Sequence, residues 1–133
     1  MLKNLQAKLK DQKGFSLVEL IVVIAIMVIL IAMLVPNVVG YIKKANYATE
    51  QNGAATVFSA AQTYVTDEYA ATGNVVTPTV DELVTKQLLT KAPTTDYTIN
   101  MDSTGVAAVD SVTWTSPNLP DGVSEGKYPA DGQ

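Results

Sequence analysis

The feature that most constrains this chain is residues 15–35, where only Ser16 and Glu19 are polar and residues 20–35 are apolar without interruption. At about 1.5 Å of rise per residue, such a helix measures about 31 Å, the thickness of a bilayer's hydrocarbon core. It can cross a membrane. Ahead of it, residues 1–14 hold Lys3, Lys8, Lys10 and Lys13 against the single acid Asp11, a balance of +3. From Pro36 onward there are 5 lysines and 11 acids, a balance of −6. The positive-inside tendency places the lysine-rich end in the cytoplasm and everything after one membrane pass outside, although Lys43 and Lys44 weaken the asymmetry. A secretory signal peptide also begins basic and continues apolar. Its apolar core normally runs about 7 to 15 residues and ends at an A-x-A-like site. Here the core is longer, and the residues after it, LVPNVVGYIKKA, offer no such site.

Composition removes most chemistry. The 133 residues make one domain at most, and His and Cys are both absent. A Cys/His zinc site, a thiol nucleophile, a Ser-His-Asp triad and a disulfide are excluded. All 9 basic residues are Lys, so the side chain best suited to bidentate phosphate or guanine contacts is missing and no nucleic-acid binding is indicated. Ser16 has no base beside it in the sequence, and no Gly-rich phosphate loop or HExxH motif occurs. The expectation is a protein that is not an enzyme.

Past Pro36 the helical period continues through Val38, Ile42, Ala45, Thr49, Ala54, Phe58, Ala61, Val65 and Tyr69, with Gly73 as a C′ residue. One helix is therefore expected from Ser16 to about Thr72, with an amphipathic half at 37–72. Pro36 and Gly40 are its weak points, where a kink or local melting is expected, because Pro lacks an N–H and crowds the carbonyl of Ala32. Thr79 and Glu82 read as a capping box opening a short helix over about 80–89, stopped before Pro93. Tyr97, Ile99 and Met101 alternate with polar residues, as do Val112 and Trp114, predicting two strands within about 96–115. Residues 102–105 supply the turn between them, and a bulge or second turn is expected near Asp110. The Pro- and Gly-containing tail, 117–133, is expected to be irregular. The fold class is α+β: a long, kinked N-terminal helix on a small antiparallel sheet.

At the head of the apolar run stands Lys13-Gly14-Phe15-Ser16-Leu17-Val18-Glu19. This resembles the processing signal of type IV pilins and pseudopilins: a basic leader, a Gly before the cut, Phe after it, and a Glu five residues into the mature chain. Residues 13 to about 36 carry the resemblance tightly. More loosely, residues 83–89 followed by Pro93 are similar to the element after the long helix in many Gram-positive pilins and in major pseudopilins. The resemblance implies cleavage of leader 1–14 by a prepilin peptidase between Gly14 and Phe15, since a side chain at Gly14 would obstruct the scissile bond. It implies N-methylation of Phe15, and pairing of Glu19 with the Phe15 amine of a neighbouring subunit. A carboxylate in an apolar helix is costly enough to call for such a partner, although snorkelling or protonation would also serve.

The function implied is structural. The subunit would be anchored in the cytoplasmic membrane through residues 15–36, then polymerised with identical subunits by an inner-membrane platform and an assembly ATPase. The head, residues 37–133, would face outward from an extracellular filament. A major pseudopilin of a secretion or competence system is the first alternative, and a non-polymerising membrane-anchored binding module the second. The absence of cysteine departs from many Gram-negative pilins and points to a Gram-positive source.

No cofactor is expected. Asp121, Glu125 and Asp131 are candidate Ca²⁺ ligands by analogy with the C-terminal loop of major pseudopilins, but their spacing does not match an EF-hand and solvated acids are the favoured reading. Tyr41, Tyr47, Tyr64 and Tyr69 are assigned to core or inter-subunit packing. Ala25, Ala32 and Gly40 would permit close helix approach, a weak signal because small residues are common in membrane helices.

Overall fold

The computed structural model describes residues 14–130. Their elements, in chain order, are α1 (Leu17–Thr72), α2 (Val80–Thr85), β1 (Tyr97–Met101), β2 (Val109–Trp114) and β3 (Gly126–Tyr128). The chain divides into two compact units, Met1–Gly40 and Tyr41–Gln133.

In the first unit α1 opens on a capping box. The Ser16 hydroxyl accepts from the Glu19 N–H at 3.2 Å, and the Glu19 carboxylate accepts from the Ser16 N–H at 2.9 Å. Two donors left bare by the first turn are satisfied within the chain. Every described residue of this unit is exposed. The helix continues through Pro36 and Gly40 without a break and does not melt there. Pro36 leaves the carbonyl of Ala32 without its usual donor. One residue on, the Asn37 side-chain amide adds a bond to the Met33 carbonyl at 3.2 Å.

In the second unit α1 lies on a sheet of order β1-β2-β3, antiparallel throughout. The helix buries Ala54, Val57, Ala60, Ala61 and Val65, small side chains that let its backbone come close to the strands. Against them sit Leu83, Leu89, Ile99, Val109, Val112 and Trp114. The buried stripe is displaced from the expected one: Val38, Ile42, Ala45, Thr49 and Tyr69 are exposed, and Val57 and Ala60 join in. Coverage of the helix begins only at Tyr47. At its far end Gly73, at φ 72°, donates to the Tyr69 carbonyl and stops the helix.

The capping box of α2 forms, but the helix ends at Thr85 rather than near residue 89. Gln87 takes the left-handed conformation, at φ 59°. Its N–H bonds to the Val84 carbonyl, and the Leu88 N–H to that of Leu83. This is a Schellman ending with Gln where Gly is usual, which is why the residue types did not announce it. Leu88 and Leu89 are used in the turn, where Leu89 still reaches the core.

Tyr97 pairs with Trp114 and Ile99 with Val112, while Asn100 faces Ser111 and Met101 faces Val109. Asp110 is left over, a bulge at the position where the hydrophobic phase broke. The tail corrects expectation: Gly126–Tyr128 forms β3, with Tyr128 opposite Val112 and Gly126 opposite Trp114. A strand this short carries no readable alternation. Tyr128 reaches Phe58 edge-on, with ring centroids 5.7 Å apart.

Candidate functional site

Gly14 is exposed, and a Cβ built on it meets no atom within 4 Å. Nothing in the described chain requires glycine here, so any such requirement comes from outside the fold. Phe15 follows it at 90% exposure, outside any element. Glu19 is exposed on the first turn of α1, its carboxylate held by Ser16. One oxygen takes that bond. An ionised carboxylate has about four acceptor positions, so a further donor can still bind.

From Leu17 to Val35 every large apolar side chain on α1 is about half exposed or more, on all sides of the helix. A helix apolar all round is stable only where something other than water surrounds it. By length and composition it can cross a membrane. Pro36 and Gly40 lie on α1 near the division between the two units.

The remaining candidates separate. Asp121 and Glu125 are exposed, and Asp131 lies outside the described residues, as do Lys3, Lys8, Lys10 and Lys13. Among the described residues no three acids gather to hold a metal ion. Tyr47 lies against Trp114, centroids 6.2 Å apart, and Tyr64 packs beside the core, whereas Tyr41 and Tyr69 are exposed.

Two polar side chains that hold the head together escaped sequence reasoning. Glu50, half-buried on α1, accepts from Ser116 Oγ at 2.7 Å, from Asn118 Nδ2 at 2.7 Å and from Trp114 Nε1 at 3.3 Å. Its backbone carbonyl accepts from the Tyr97 hydroxyl at 2.7 Å. One acid thus ties β1 and the segment leaving β2 to the helix. Its signal was available: position 50 falls three residues after Tyr47 and four before Ala54, on the face that turns inward. Gln62 completes the bulge, accepting from the Val109 N–H at 2.9 Å and donating to the Ala107 carbonyl at 3.2 Å.

Among the described residues, two groups are shifted from their ordinary values by their surroundings. Backbone and side-chain hydrogen bonds from Thr79 hold the Glu82 carboxyl below its usual range. Burial pushes the Tyr97 phenol up, opposed by a hydrogen bond from Thr95 and assisted by the Glu50 charge.

Residues 9–35 match the family model of the prokaryotic N-terminal methylation motif, which is characteristic of type IV pilins. No curated protein and no solved structure matches the chain. The motif covers Gly14, Phe15, Glu19 and the apolar half of α1, and does not extend over residues 36–133.

Proposed function

We propose that this chain is a structural subunit of a type IV pilus, cut after Gly14 and polymerised through the apolar half of α1. The methylation motif supports a pilin- or pseudopilin-like precursor, a structural subunit processed by a prepilin peptidase. The observation that supports polymerisation is the position of that motif, at the start of a helix whose apolar side chains find no cover among the described residues, a feature that a pseudopilin would share.

The physics of the exchange is specific. Lipid tails are as apolar as Leu and Val, so moving this helix from bilayer to filament core gains little from hydrophobicity alone. Close packing, and polar groups that find better partners among neighbours, must set the direction and register. Glu19 is the polar group available within the apolar run besides Ser16. Cleavage creates a cationic amine on Phe15, and a neighbour's amine reaching the unused Glu19 oxygen would fix adjacent copies four residues apart, about 6 Å along the axis. The energy for extraction from the bilayer would come from an assembly ATPase on an inner-membrane platform, with the acidic head left outside the cell.

Intact mass of the protein in membranes and in material sheared from the cell surface tests the reading. The expected species begins at Phe15 and carries one added methyl group, and electron microscopy of the same shearings should show filaments. Protein that keeps residues 1–14 and never enters an ordered assembly would overturn it.

A further inference from the structure

We propose that Tyr41, Lys43 and Lys44 bind anionic lipid headgroups at the outer face of the bilayer while the subunit waits in the membrane. The inference rests on the membrane-anchored state proposed above and adds a lipid preference to it. Residues 41–46 are all exposed, Tyr41 at 72%, because the head begins to cover α1 only at Tyr47. No hydrogen bond or ion pair engages Lys43 or Lys44 among the described residues. No acid occurs between Glu19 and Glu50. The two lysines are therefore a concentrated positive charge at the start of an otherwise acidic head.

Their place in the chain selects the partner. The apolar run fills about 30 Å of hydrocarbon, and the headgroup layer adds about 5–7 Å on each side. Lys43 follows Val35 by eight residues, about 12 Å of helix. So short a spacing along the chain keeps both lysines close to the headgroup region, where a lysine stem can reach back to the interface and lipid charge is felt over a screening length of about 8 Å at physiological salt. Tyr41, two residues closer to the span, has the amphipathic character that favours the interface.

A second copy is the competing occupant. The positions four residues before and after them, which a copy offset by four would present, are Val39, Gly40, Tyr47 and Ala48, none of them acidic. The nearest following acid, Glu50, is occupied by Trp114, Ser116 and Asn118. Lipid phosphates supply the counter-charge that this register does not.

The test uses the full chain in phosphatidylcholine vesicles with and without phosphatidylglycerol. A membrane-impermeant amine reagent is followed residue by residue with mass spectrometry. The exposed Lys86 and Lys91, on the same side of the span, serve as internal standards, so the ratio is independent of orientation in the vesicle. The expected result is labelling of Lys43 and Lys44 slowed about fivefold each in anionic vesicles, restored by high salt and absent in neutral ones. Equal rates in both vesicles overturn the proposal, as does a chain that fails to float with them. Protection in neutral vesicles that grows with the protein-to-lipid ratio also overturns it, by assigning the lysines to another copy. The readout needs neither cleavage nor filaments: a chain that polymerises without anionic protection sinks only this inference, and one protected yet never processed sinks only the pilus reading.

Discussion

Glu50 and Gly126 show how much of the head depends on single atoms. Replacing Glu50 by Ala removes the acceptor of three side chains at once, and donors left without partners cost about 1–3 kcal/mol together with any slack in the segment they held. Glu50→Gln keeps one oxygen and should lose less. Denaturant unfolding of the full chain in detergent, followed by Trp114 fluorescence, should rank the three proteins in that order. Gly126 faces Trp114 so closely that an added Cβ would overlap the indole ring. Gly126→Ala should therefore destabilise the head by about 1–3 kcal/mol, as overpacked cores do. A midpoint unchanged from the parent would mean that the ring moves freely, against its burial at 2% exposure.

Among the elements, α2 is the one whose existence depends on its ends. Six residues form fewer than two turns, too little to persist on propensity. The Thr79–Glu82 box and the Schellman turn at Gln87 close both ends, and Leu83 anchors the middle. Thr79→Ala should cost about 1 kcal/mol of head stability. Because the Glu82 carboxyl titrates below its unfolded value, its contribution is present above the unfolded carboxylate range and is lost as pH falls through the lowered folded value. The parent should accordingly lose stability on acidification through that range, and Thr79→Ala should lose less over the same interval. Parallel pH profiles for the two proteins would count against the box as the cause.

For the whole molecule, the two compact units call for different surroundings. Tyr41–Gln133 contains a core and can satisfy itself, whereas the described part of Met1–Gly40 presents apolar side chains that water does not tolerate. Fibre assembly is the test of what Glu19 does beyond capping its own helix. Glu19→Ala removes both the cap and the charge, while Ser16→Ala weakens the cap and leaves the charge. Under the proposed pairing both variants should reach the membrane, Ser16→Ala should yield filaments, and Glu19→Ala should yield few. Equal loss in both would reduce Glu19 to a helix cap.

The sequence by itself determined the membrane-length helix, the processing motif, the Thr79 box, the first two strands and the bulge at Asp110. These features are written in near neighbours: apolar periodicity, cap spacing and a break in alternation are all readable within a few residues. Tertiary structure alone decided that the tail supplies β3, that α2 stops at a left-handed Gln87, and that Glu50 and Gln62 serve as ties across the head. Each of these joins residues far apart in the chain or places an ordinary residue in an unusual conformation. Such choices depend on which backbone donors and polar side chains meet across the packed core, and no short stretch of sequence records that.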